Sequence, residues 1–600
     1  MNTSETKIPW ITRILLCLVG AAVLVACVAL FASLITHGFH WRPILYLAIL
    51  LSPFLYCLWW RGAMMWREGF LAPRKDRFRL RFNPRPECTR FYGWTLLVFL
   101  SFATLLYSLE LWRGKRAYAR LQREVEAKGG SLAFSALIPP PVPDDQNFCA
   151  TPLLAAMMDY ESRSPLISPN TEQWHNPAII DRLKSMSLPT PGRRQQWPPR
   201  SFRLPKQRPQ LWFCAGMTDL AAWQEAFAEN TSYPASSASR SPAEAVLLAL
   251  SKFDPELNEL HAANQRPAAR WALHYQDGWF VQQGDTVRWE ALRNLAGILK
   301  LRAVAELATD RTDAALQDVK LSLRLADSLQ PEQFYFAHHE RQRLLLTSLQ
   351  AVWEGLVTHR WTESQLAELQ SRLSQYDLAS DWRTAMRGET YLMMELSRQM
   401  NELFSLRTIR TQFLNSQPKR WELLLMWMFY PTGWYYQDQV YLYRFCEQRM
   451  MAGPLLTKPN APSAAKEVHL EMPEDPLLAI FILPKLREMF GDTNSFTLVQ
   501  TSLEQARLAC ALERYRLANG EYPATLEALT PRFVDTLPPP SSARQPLLGY
   551  RRTTSSQFLL YPAGMTHVSE TWHPSNSEGN GVFLGRPLAD IDGVWRFPAK

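Results

Sequence analysis

Three long apolar spans crowd the first 112 of 600 residues, and nothing comparable follows. Residues 14–35 run for 22 positions without a charge, residues 44–60 for 17, and residues 92–112 carry only Glu110. A hydrocarbon core needs about 20 apolar residues in helix. In lipid only a helix or a closed barrel satisfies its own backbone amides. The spacing therefore predicts three transmembrane helices, followed by a large region compatible with water.

The flanking charges set an expected orientation. The link 61–91 holds nine Lys/Arg, whereas the link 37–42 holds only Arg42. Basic loops stay cytoplasmic, which puts the N-terminus inside and everything after residue 112 outside. Six further basic residues, Arg113, Lys115, Arg116, Arg120, Arg123 and Lys128, oppose this order and are outnumbered. The expectation is a multi-pass protein of the bacterial inner membrane with a periplasmic C-terminal region and the lipid bilayer as one partner. Residues 1–130 contain 18 Lys/Arg and 7 Asp/Glu, a net of +11 against +9 for the whole chain. Residues 131–600 are thus slightly acidic, and their composition excludes a nucleic-acid interface, which needs a concentrated cationic footprint.

The remainder reads as mainly α. Residues 113–242 form a stalk and a Pro-rich irregular linker, including the run Pro139-Pro-Pro-Val-Pro143. Residues 243–470 carry helical periodicity: Leu316, Val319, Leu323 and Ala326 share a face, as do Leu345, Leu349, Val352 and Leu356. Thr362 and Gln365 form a capping-box pattern before Leu366, Leu369 and Leu373. The pair 289–307 and 312–329 has the form of one helical repeat unit, short of the three that a solenoid requires. In residues 471–600 a helix from about 495 to 518 precedes Asn519-Gly520, and the runs at Tyr550 and at Gln557–Tyr561 predict antiparallel strands.

Ala511-Leu-Glu-Arg-Tyr-Arg-Leu-Ala-Asn-Gly-Glu-Tyr-Pro523, with Leu526-Glu-Ala-Leu529, resembles the soluble domain of the major pseudopilin of type II secretion systems. The resemblance covers about a hundred residues. It implies a long helix ending at an N-G-x-Y-P turn, then a small antiparallel sheet with a last strand near Trp595. Pseudopilins of this kind hold calcium in the last loop. Glu578, Asp590 and Asp592 are the candidate ligands here, although the family's S-x-G-x-D stretch is replaced by Pro562-Ala-Gly-Met-Thr-His567. The longer chain also resembles a set of large bacterial membrane-anchored proteins, through Pro139–Asn147, Val352-Trp-Glu-Gly-Leu356 and His359-Arg-Trp361; that likeness implies no activity.

Catalytic motifs are scarce. His338-His339-Glu340 lacks the second histidine of H-E-x-x-H, because position 343 is arginine; these histidines read as polar groups on the surface of the array. Cys149, Cys214, Cys446 and Cys510 show no C-x-x-C spacing and are open to pairing or to burial as free thiols. Glu354 and His359 fall on neighbouring helical turns, and Glu389 and Glu395 lie six apart, about 120° around one helix. Those four residues are the candidates for an envelope hydrolase acting on glycan or peptide, the alternative to the main reading. That main reading is non-catalytic: a scaffold or adaptor of an envelope complex, associated with secretion or pilus machinery, with protein partners and no cofactor.

Overall fold

The computed structural model describes residues 86–161, 173–191, 212, 215–235, 241–275, 286–403, 432–451, 493–537, 548–562, 582–583, 586–587 and 594–597. These residues are mainly helical. They fall into two compact units: the first holds the initial helix, the last turns of the helix Leu378–Leu403 and the start of a later one, and the second holds nearly all the rest.

In the first unit α1 spans Pro86–Ala127 and α11 spans Thr432–Met451, whose early turns belong here. The expected three transmembrane helices, and with them the multi-pass inner-membrane placement and its orientation, do not hold. Among the described residues no helix is long and apolar enough to cross a membrane. The spans 14–35 and 44–60 lie outside the described residues; the span 92–112 lies within α1. Leu97, Leu105, Leu109 and Trp112 are exposed on that helix. The one charge within residues 92–112, however, is held by protein. Glu110 is buried and accepts hydrogen bonds from Arg113 Nη1 (3.0 Å) and from Gln437 Nε2 of α11 (2.9 Å). About two turns further on, Tyr118 meets Tyr436 at 5.8 Å between ring centroids. The run 92–112 was read from sequence as lipid-facing on its apolar composition, which does not reveal the protein partners that its last turns meet.

The second unit is built around a buried helix. Here α6 (Thr286–Ala308) and α7 (Thr312–Asp327) form an antiparallel hairpin on which α8 (Tyr335–Val357) packs. Leu344, Leu345, Leu349, Val352, Trp353 and Leu356 of α8 are all buried, and so are its polar Ser348, Gln350 and Glu354. Polar groups on the buried part of a helix must be satisfied internally; Ser348 and Ser322 of α7 do so across 2.7 Å. The predicted capping box starts α9 (Glu363–Leu373), with Gln365 N–H donating to Thr362 Oγ1 and Thr362 N–H donating to Gln365 Oε1. Next comes α10 (Leu378–Leu403).

The segment read as irregular linker contains more structure than its composition indicated. A two-residue antiparallel pair, β1 (Tyr160–Glu161) with β2 (Gln173–Trp174), leads into α2 (Pro177–Ser185). Proline at its first position suits a helix start, since its missing N–H is unneeded there. Further on, α3 (Leu220–Ala228) is capped by Asp219, whose carboxylate accepts from Ala222 N–H. The helices α4 (Pro242–Leu250) and α5 (Asp254–Ala263) complete the layer, with α4 packed on both α3 and α6.

The C-terminal elements pack onto this array. Helix α12 (Thr493–Asn519) lies against α8 and α9. Strands β3 (Leu548–Thr554) and β4 (Gln557–Pro562) form an antiparallel hairpin, with Gly549 opposite Tyr561. Trp595 joins β4 by two backbone hydrogen bonds with Leu560, at 2.8 and 3.0 Å. A further short pair joins β5 (Val582–Phe583) to β6 (Arg586–Pro587).

Close backbone approach predicts a contrast between two helical glycines. A Cβ on Gly388 of α10 would lie 1.4 Å from the Gln333 carbonyl oxygen, whereas one on Gly297 of α6 would meet only Leu188 Cδ1 at 3.7 Å. Gly388→Ala is expected to cost about 2 kcal/mol or more, and Gly297→Ala to gain up to about 1 kcal/mol from helix propensity. Urea midpoints of the two variants check both signs.

Candidate functional site

The C-terminal turn of α8 and the middle of α12 meet at one carboxylate. Helix α8 ends in a Schellman arrangement, with Arg360 N–H donating to Gly355 O (2.8 Å) and His359 at φ +55°. Glycine normally takes that left-handed position because it has no Cβ to clash. Histidine stands there instead, and its Nδ1–H donates to Glu513 Oε1 of α12 at 2.9 Å. Arg516 adds two hydrogen bonds to the same carboxylate (2.7 and 2.9 Å), and the Tyr522 hydroxyl donates to Oε2 at 2.5 Å. Glu513 is buried. Burial alone would raise its pKa, but the hydrogen bonds from Arg516, His359 and Tyr522 outweigh it and hold the carboxyl at about 2. Phe597 closes the cluster, 6.2 Å from the His359 ring and 6.4 Å from that of Tyr522.

One turn back on α8, Glu354 serves a different purpose. Its Oε1 accepts from Thr218 N–H (3.0 Å), Thr218 Oγ1–H (2.5 Å) and Gln350 Nε2 (2.7 Å). Gln350 in turn accepts from Trp212 N–H and donates to the Gly216 carbonyl. Together the two side chains pin the strand of chain around residues 212–218 to α8. Burial raises the Glu354 pKa, opposed by these hydrogen bonds and by the charge of Lys300, whose own pKa burial lowers.

The other two candidates lie elsewhere. Glu389 of α10 is buried and accepts from Tyr335 N–H at 3.4 Å. Glu395 is half-buried further along α10. Glu354, His359, Glu389 and Glu395 are therefore not brought to one point, and none of them lines the clefts described below. The calcium candidates Glu578, Asp590 and Asp592 lie outside the described residues. Among the described residues no group of His, Cys, Asp and Glu could hold a metal ion.

His338 departs from its surface reading. It is buried, and its Nε2–H donates to the Glu332 carbonyl at 2.7 Å. Burial, with the nearby Arg341 charge, pushes its pKa down to about 3 against the pull of that hydrogen bond. The sequence placed it beside polar neighbours, and the turn at residues 329–334 folded over it. Cys149, Cys446 and Cys510 are free and buried, with burial raising each thiol, Cys446 and Cys510 to about 12; Cys214 lies outside the described residues.

Open space occurs where elements meet. A groove of about 660 Å³ runs between α9, α12 and residues 532–537, lined by Gln370, Ser374, Gln500, Arg507, Arg514 and Arg532 among others. Gln370 spans its floor, donating to Phe533 O (2.6 Å) and accepting from Arg514 Nη1 (3.1 Å). The sequence reading missed Glu513, Gln350 and this groove. The Glu513/Arg516 spacing was a visible i,i+3 pair, but nothing local announced His359 as its third partner.

No family model matches the chain, and neither a curated protein nor a solved structure matches it.

Two predictions follow from the buried groups. Tyr522→Phe removes one charge-assisted hydrogen bond and is expected to cost about 1.5–3 kcal/mol. Because the Glu513 pKa is depressed, its contribution is complete above the unfolded value and is lost as pH falls from about 4.5 towards 2. The Tyr522→Phe penalty should therefore shrink over that interval in urea titrations. His338 is also depressed, so its neutral burial costs stability progressively as pH falls from about 6.5 towards 3, by about 1.4 kcal/mol per unit. The stability difference between wild type and His338→Gln should move in favour of the variant by about 2 kcal/mol between pH 7.5 and 5.

Proposed function

We propose that this chain is a non-catalytic scaffold or adaptor that acts by holding protein partners. The observation that carries the reading is the use made of the reactive side chains. Each candidate carboxylate or imidazole with a described partner spends its hydrogen bonds joining one element to another: Glu354 to residues 212–218, His359 to Glu513, Glu389 to the start of α8. A hydrolase needs its acid and base to face one shared cleft, and these residues do not.

Broad helical faces with polar grooves supply contact surface for partners, and the groove between α9 and α12 is the first place to look. Components of secretion or pilus machinery are the first partners to test, on the resemblance of the 511–529 segment. The packing of α12 on α8 and α9 favours a fixed module over a polymerising subunit, since much of that helix is already covered.

In-cell crosslinking of the full chain, followed by mass spectrometry, tests this reading. The expected result is a protein partner whose crosslinks cluster around residues 370–377 and 532–537, and whose yield falls several-fold in Arg532→Glu. Recovery of the chain alone, or of partners indifferent to that substitution, contradicts it.

A further inference from the structure

Beside the groove lies a second cleft of about 460 Å³ with a different chemistry. Four guanidiniums line it, from Arg270, Arg324, Arg341 and Arg372, with the single carboxylate of Asp327. Asp327 is taken by Arg341 and Arg372, and Asp381 also pairs with Arg341. Arg270 and Arg324 have no carboxylate partner among the described residues. The Nε atoms of both are buried without a hydrogen-bond acceptor, as is the hydroxyl of Tyr376.

Backbone carbonyls, not a counter-charge, hold the Arg324 guanidinium, and the main chain of Arg270 is fixed by its neighbours. Arg324 Nη2 donates to Arg266 O (2.6 Å) and Ala268 O (3.0 Å). Residues 146–148 zip to residues 268–270: Phe148 N–H donates to Ala268 O, Ala268 N–H to Gln146 O, and Asn147 exchanges hydrogen bonds with the Arg270 backbone at 2.7 and 2.8 Å. Burial lowers the Arg324 pKa, and the Arg372 charge adds to that, which is the condition an incoming anion relieves. A cleft that carries surplus guanidiniums on a fixed backbone is organised before any ligand arrives, which removes part of the ordering cost of binding.

Between the cations the walls are apolar: Pro139, Pro140, Val142, Pro267 and Pro331, with the Tyr376 ring. Prolines offer flat faces and no competing N–H. Alternating apolar walls and cationic points suit an extended peptide with acidic side chains, at a volume ordinary for a ligand site. A nucleic-acid strand is a poorer fit, since residues 131–600 carry a slight net negative charge. We infer that the cleft walled by Pro139, Pro140 and Pro267 and lined by Arg270, Arg324 and Arg372 binds an acidic peptide segment through its carboxylates. It adjoins the α9–α12 groove and shares Tyr376 with it, but its four guanidiniums line this cleft and not the groove, so loss of the groove's partner would leave this binding intact.

Fluorescence anisotropy of the full chain with an acetylated, amidated and fluorescein-labelled hexaglutamate reads this directly. Saturable binding is expected, weakened about tenfold or more by Arg270→Gln and by Arg324→Gln, and unchanged by Arg551→Gln, an exposed position of β3 outside both clefts. Gln375→Glu keeps its contact with Arg372 Nη1, made at 2.8 Å by Gln375 Oε1, and adds a carboxylate at the rim; it should weaken binding without touching the fold. Absence of saturable binding, equal losses in Arg551→Gln, or full displacement by inorganic phosphate at matched charge would each overturn the inference.

Discussion

The Glu513 carboxylate is the point on which the second unit depends. Four donor groups from three places in the chain converge on it: the His359 ring at the end of α8, the two Arg516 nitrogens within α12, and the Tyr522 hydroxyl beyond the helix. A buried charge is tolerated only when it is fully paired and hydrogen-bonded, and removing one partner leaves the others uncompensated. This single group therefore does three jobs at once. It stops α8, it fixes the turn after α12, and it joins the C-terminal elements to the helical array. Trp353 reinforces the join, its indole N–H donating to the Arg596 carbonyl at 3.0 Å.

The same economy explains why the reactive residues look catalytic in sequence and structural in space. Glu354 and Gln350 occur one turn apart within the buried C-terminal half of α8, so their polar atoms have to find partners inside the protein. The chain around residues 212–218 supplies those partners through backbone N–H and carbonyl groups that would otherwise be buried unpaired. Trp361 shows the matching constraint on shape: its ring covers Gly355, where a Cβ would fall 2.1 Å from the indole nitrogen, and its N–H donates to Val352 O. The V-W-E-G-L and H-R-W motifs are thus one packing unit.

Local pattern made much of the helical region legible. The α6–α7 hairpin, the Thr362–Gln365 capping box, the helix ending at Asn519 and the β3–β4 hairpin follow from periodicity and turn chemistry close in sequence. What was not legible is long-range. His359 and Glu513 are 154 residues apart, and Gln350 and Trp212 are 138 apart. His338 reads as polar until Glu332 and Arg341 are placed around it. For residues 92–112 the membrane reading failed for a related reason: that span was read by itself, while α1 runs on to Ala127 and meets α11 through Glu110 and Tyr118. The cationic cleft was hidden because its arginines come from residues 270, 324, 341 and 372, on separate elements, within a region of slightly negative net charge.

Through Glu513 the helical array and the C-terminal elements form one cooperative body. Hydrogen–deuterium exchange of wild type and Glu513→Gln puts this to the test. The variant is expected to lose protection together in residues 345–357, 500–519 and 557–561, with one shared opening free energy. Loss confined to residues 513–522, with α8 and β4 keeping their wild-type protection, would contradict it.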